Sequence, residues 1–168
     1  MSAYLYQAPC GVPGDVTRPD ESNVEPAMLI AISAVYAQKF GIPMKYATGG
    51  ISQIASGDAA TVFAGILVRQ APGISGNALS GLDDTTPNPD QVQGLLVRGY
   101  GNVRVFAGTP ARGGVVYMQV TANGGAVVGD LRADGTDSGN AVALTNTQAS
   151  WATDGKDADG NAEIRVAR

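Results

Sequence analysis

Histidine is absent from this chain, and cysteine occurs once, as Cys10. Without histidine there is no Ser-His or Cys-His nucleophile system, no imidazole general base, and none of the commonest zinc ligands. One cysteine excludes an intrachain disulfide. Charge is also scarce: 11 basic and 15 acidic residues in 168 give a net charge of −4. That balance lacks the dense Lys/Arg stripe that binds DNA or RNA, so no nucleic-acid partner is expected. No apolar run approaches the ~18 residues of a membrane-spanning helix, so no membrane partner is expected either. The first residues carry no basic segment ahead of an apolar one and do not read as a signal peptide. The paired carboxylates Asp83 and Asp84 lie in a polar stretch, where adjacent acids face water. DADGNAE (157–163) has its glycine at the fourth position and its glutamate at the seventh, unlike an EF-hand loop. No catalytic set, metal site or cofactor is therefore predicted.

Glycine is abundant instead, with 23 residues. Glycines scattered between short apolar runs indicate many tight turns and many short strands. Residues 1–26 hold four of the nine prolines, which are kept out of helix interiors and central strands. They read as an extended N-terminal arm, with Tyr4, Leu5 and Tyr6 too apolar for a free tail. Residues 27–168 read as a single β-rich body. EPAMLIAISAVYAQKFG (25–41) is compatible with a helix opened by Pro26 and equally with a strand. PMKYATGGISQIA (43–55) reads as strand, turn at Gly49-Gly50, and a second short element. TVFAGILVRQAPG (61–73) is a strand ended by Ala71-Pro72-Gly73. Residues 75–90 form a polar loop, and VQGLLVRGYGNVRVFAG (92–108) is expected to be two strands broken near Gly99 or Gly101. GILVR (65–69) recurs as GLLVR (94–98), two copies of one strand shape with a charged exit.

TPARGGVVYMQV (109–120) resembles a phosphate-cradling loop at first sight. It lacks the Lys and Ser/Thr of a Walker loop, and Val115-Val116-Tyr117 opens a strand better than a helix. Alternation assigns Val116, Met118 and Val120 to the core. Val115, Tyr117 and Gln119 fall on a second, mixed face that meets another layer or a partner. Turns at Asn123-Gly124-Gly125 and Asp134-Gly135, a segment carrying Trp151, and an alternating last strand over 162–167 bring the total to eight to ten strands.

The order of these pieces resembles that of bacteriophage structural cement proteins, which decorate HK97-like heads. The resemblance rests on APCGVPGDVTRPDESNVEP (8–26), FGIPMKY (40–46), VFAGILVRQAPG (62–73), VRGYGNVRV (97–105), ARGGVVYMQV (111–120) and DGNAEIRV (159–166). It implies an all-β, jelly-roll-like sandwich or barrel without enzymatic activity. It implies a dimer or trimer that sits on the outer surface of the expanded capsid and bridges capsomers of major capsid protein. On that expectation the candidate interface residues are Tyr4, Leu5, Tyr6, Arg18, Glu25, Arg69, Asp83, Asp84, Arg112 and Tyr117. Two other readings compete. One is a β-sandwich carbohydrate- or receptor-binding module on the virion, which predicts aromatics gathered on one face. The other is a histidine-free glycosidase, which predicts two carboxylates facing across a cleft.

Overall fold

The computed structural model describes residues 11–30, 39–69, 87, 91–137 and 139–167. Ten strands and two short 3-10 turns, Pro19–Glu21 and Ala60–Val62, make up its regular structure. The strands are Asn23–Leu29 (β1), Pro43–Ala47 (β2), Gly50–Gln53 (β3), Phe63–Val68 (β4) and Gln91–Ala107 (β5). Tyr117–Gln119 (β6), Leu131–Arg132 (β7), Ala141–Ala143 (β8), Ala149–Trp151 (β9) and Asn161–Ala167 (β10) follow. No α-helix occurs among the described residues. The 25–41 segment begins as strand β1, and residues 31–38 lie outside the described residues.

The first five strands close into a ring, in the order β1-β3-β2-β4-β5 and back to β1. Leu29, Ile42, Met44, Ile51, Ala64, Leu67, Leu95 and Val97 cluster inside it with Phe40. Burying each large aliphatic side chain contributes roughly 1.5–3 kcal/mol. The seam between β1 and β3 is narrow: one register pair, Leu29↔Ile51, and a bond from Ile30 N–H to Ile51 O at 3.0 Å. Gly50 makes the seam possible, because a Cβ there would stand 2.0 Å from Met28 O. The two sequence echoes are neighbours in this ring. GILVR and GLLVR pair antiparallel, Ile66 with Leu96, Leu67 with Leu95 and Val68 with Gly94.

The stretch expected to be two strands is one, the 17-residue β5. Gly99 does not break it but changes its phase, with φ at +119°. Before Gly99 the odd-numbered Leu95 and Val97 point into the ring, and Leu96 points out. Beyond it the odd-numbered Val103 and Val105 join the cluster of Leu96. A bulge-like irregularity of this kind shifts every later side chain to the other face. β5 thus serves two cores.

The second core lies between the outside of β4–β5 and the C-terminal strands. Pairings run from β5 to β7, β6 and β8, and separately from β5 to β10 and β9. A bridge between Val115 and Ser150 joins the two branches. Trp151, Met118, Leu131, Val116 and Ile164 fill the interior with Ile66, Val68 and Leu96 from the ring wall. Val116, Met118 and Val120 are buried as their alternation predicts, and Asn123-Gly124-Gly125 is a tight turn closed by Asn123 and Ala126. On the second, mixed face Gln119 meets another layer of its own chain: it is fully buried, because a polar cluster of the second half surrounds it.

Candidate functional site

Three features of the surface and its supports stand out. The first is apolar. Along β1, Val24, Pro26 and Met28 alternate with Glu25, Ala27 and Leu29, so they share the face turned away from the ring interior. Val92 stands directly across from Met28 on β5. Val24 is 39% exposed, Met28 41% and Val92 51%. Gly94, opposite Pro26, adds no side chain of its own, and its position abuts Val24 and Val68. The result is a strip that prolongs the second core beyond the strands that cover it.

The second feature is a polar groove of about 730 Å³ lined by residues 20–23, 98–100 and 165–167. It lies where two partners of β5 meet: β1 ends its pairing at Asn23↔Arg98, and β10 ends its own at Ala167↔Arg98. Ser22 packs against Gly99, where a Cβ would stand 2.3 Å from Ser22 Oγ. That hydroxyl donates to Arg18 O at 2.7 Å and accepts from Tyr100 N–H at 3.1 Å. Arg98 and Arg165 are exposed, and Asp20 and Glu21 supply carboxylates from the 3-10 turn.

The third feature fixes the arm. Residues 14–17 lie along β5, with Gly14 N–H on Asn102 O, Asn102 N–H on Asp15 O, and Thr17 N–H on Tyr100 O. Arg18 then forks onto Glu163 of β10, Nη2 to Oε2 at 2.8 Å and Nε to Oε1 at 3.3 Å. The Thr17 hydroxyl donates to the same carboxylate. Glu163 is buried, and the Arg18 guanidinium lies 4.0 Å over the Tyr100 ring. The bond to Glu163 is the largest influence holding the Arg18 pKa above its ordinary value. Bidentate geometry fixes direction more than it adds energy here, since Arg18 remains half exposed. Asn102 beneath this arm is fully buried, and among the described residues neither atom of its amide has a hydrogen-bond partner.

Away from these features, Arg132 and Asp137 organise a polar cluster. Asp137 Oδ2 accepts from Arg132 Nη1 and Gln119 Nε2, each at 2.9 Å; Oδ1 accepts from Asn140 at 2.7 Å and Asn123 at 3.1 Å. Arg132 also bonds Asp134, Gln119 and Thr136. The bonds from Gln119 and Asn140, then that from Asn123 and the Arg132 charge, bring the Asp137 pKa down to about 2. Asp130 moves the other way: burial raises its pKa against the Val127 N–H bond and the charges of Lys39 and Arg104.

The sequence-predicted interface residues fall in several places. Arg18 is the clasp just described. Glu25 is exposed on β1 and accepts from the Tyr46 hydroxyl at 3.1 Å. Arg69 donates to Pro13 O at 3.0 Å and lies 5.0 Å over the Phe40 ring, so it holds the arm on the ring. Arg112 is an exposed turn residue whose N–H meets Asp154 Oδ1, and Tyr117 is half-buried beside Gly135. Tyr4, Leu5, Tyr6, Asp83 and Asp84 lie outside the described residues, as does Cys10. Sequence reasoning missed the strip and the groove. The i, i+2, i+4 spacing of Val24, Pro26 and Met28 was the available signal for the strip. The groove joins three distant segments and had none.

Among the described residues, no three Cys, Asp or Glu side chains gather where they could hold a metal ion. No helix there is long and apolar enough to cross a membrane. Asp157, in the loop resembling a calcium site, caps its own turn by accepting from Asp159 N–H and Asn161 N–H. The body is all-β, and its apolar strip and charged groove share β1 and β5. The model of the XM1 gp53 minor capsid protein family matches residues 1–166, and the chain belongs to that family, a structural family of the phage capsid. A solved chain from "The capsid of Myoviridae Phage XM1" shares the fold, with a TM-score of 0.63 over 97% of this chain and 94% of its own at 20% identity. No curated protein matches.

Proposed function

We propose that this minor capsid protein is a cement protein. It binds the outer surface of the head, bridges capsomers of major capsid protein and stabilises the expanded shell. The observation that carries the reading is the exposed strip of Val24, Pro26, Met28 and Val92 on a rigid two-strand platform. Exposed apolar side chains in one row mark an interaction surface, whereas single ones do not. Self-association as a dimer or trimer places several such strips on one particle, and multivalent attachment makes weak contacts hard to release together. The residues ahead of β1 serve as the arm, since Asn23 to Pro26 of the expected 1–26 arm belong to the ring strand β1.

The carbohydrate-binding alternative gains less support. Among the described residues the exposed large aromatics are Tyr46 and Phe106, on different strands, with no common platform. Co-sedimentation of the purified protein with undecorated expanded heads, with procapsids and with immobilised glycans tests the proposal. Saturable binding to expanded heads is expected. Absence of binding to any head, or binding to glycans alone, defeats it. Sedimentation velocity of the free protein reads the oligomer.

A further inference from the structure

The groove at the β1–β5–β10 junction is richer in charge than the chain as a whole. Charged residues are 15% of the chain but four of the ten that line the groove. The signs are separated. Asp20 and Glu21 come from one segment, the 3-10 turn; Arg98 and Arg165 come from the facing strands. Among the described residues neither Arg98 nor Arg165 forms an ion pair or a side-chain hydrogen bond, whereas the neighbouring Arg18 is committed to Glu163. The floor is rigid. Arg165 stands opposite Tyr100 and Ala167 opposite Arg98 in the β5–β10 ladder, and Gly99 is held by Ser22.

We propose that this groove receives an extended, acid-bearing segment of the capsid shell protein, with Arg98 and Arg165 binding its carboxylates. The inference rests on the capsid-binding reading above. Guanidinium groups present paired donors that match a carboxylate, and two of them on adjacent strands, offset by two positions in the β5–β10 ladder, fix the register of an extended chain. A polyphosphate fits less well, because Asp20 and Glu21 on the opposing wall repel it. A peptide satisfies both walls when its acids face Arg98 and Arg165 and a basic residue faces the 3-10 turn. The groove's volume suits a short stretch of peptide.

The test compares wild type, the double variant Arg98→Glu with Arg165→Glu, the milder Arg98→Gln with Arg165→Gln, and Lys156→Glu. Lys156 is an exposed cation in the loop before β10, outside the groove. Affinity for undecorated expanded heads is measured by co-sedimentation at low and high salt, with thermal melting as the folding check. The charge-reversed variant is expected to lose roughly tenfold or more in affinity, the glutamine variant less, and Lys156→Glu almost none. The salt dependence of binding should flatten in both groove variants. Wild-type binding that the groove variants retain overturns the groove and leaves capsid binding intact. No binding by wild type overturns both. If wild type binds duplex DNA and the groove variants do not, the site is a polyanion site and the peptide assignment is wrong.

Discussion

The ring formed by β1–β5 and the enclosure formed by β6–β10 are held differently. The ring is apolar within and closed by backbone proximity: β3 meets β1 through Gly50 because no side chain intervenes. The second half adds a polar cluster in which Arg132 and Asp137 collect at least five neighbours from turns that have little sheet structure of their own. Where strands are long enough to pair, the ladder sets the shape. Where they shrink to two or three residues, side-chain hydrogen bonds take over. The difference also decides what faces outward. The polar contacts of the ring, such as Tyr46 to Glu25 and Lys45 to Asp58, leave the face of the apolar strip clear, whereas the second half gathers its polar groups in one cluster.

The comparison can be broken at four points. The largest effect belongs to Trp151→Ala. It empties a fully buried site in the second core and removes the indole N–H bond to Val115 O, at a cost of about 3–5 kcal/mol. Calorimetry of the variant reports the loss. Hydrogen exchange then tells whether β1–β4 loosens with it, as β5's service to both cores requires; unchanged protection in the ring would separate the halves. Next is Gly50→Ala, which drives a methyl into Met28 O and should cost about 2–3 kcal/mol by prising open the seam. Gly139→Ala, in open space, is the control and should melt like wild type.

Asp137→Asn is expected to act through pH. The folded pKa of about 2 is below the ordinary 3.8, so the carboxylate's contribution is full above pH 3.8 and is lost as pH falls through about 2. Urea midpoints followed downward from pH 5 should decline in wild type over that window more than in the variant, and parallel curves would remove Asp137 as the cause. Smallest in stability is the pair Met28→Ser and Val92→Ser. Both side chains are substantially exposed, so melting should shift by no more than about 0.5 kcal/mol while head binding weakens. A large loss of stability would reassign the strip to the core.

Strands β2, β3 and β4 of the ring were legible in the sequence from glycine turns and apolar runs, whereas β1 lay in a stretch that reads equally as helix or strand. Lys45 and Tyr46 run into a turn at Gly49, and 63–68 is a dense apolar run. β5 was not legible as one strand. A phase change at Gly99 looks, in a one-dimensional pattern, the same as a break. The face of Gln119 was left between another layer and a partner, because nothing local announces that Asp137 and Arg132 will enclose it. The family likeness identified the class of protein, yet Arg98 and Arg165 did not stand out as a pair, because they are 67 residues apart and meet only through the β5–β10 register. Two of the ten interface residues it did suggest, Arg18 and Arg69, bond between the residues ahead of β1 and the body.

That holding has a mechanical consequence. The Arg18–Glu163 fork joins a residue near the start of the chain to one near its end, 145 positions away. A pull on the arm is therefore a pull on β10, whose seven register pairs with β5 lie alongside. Tension entering there is shared across a ladder of bonds loaded together instead of being met one bond at a time.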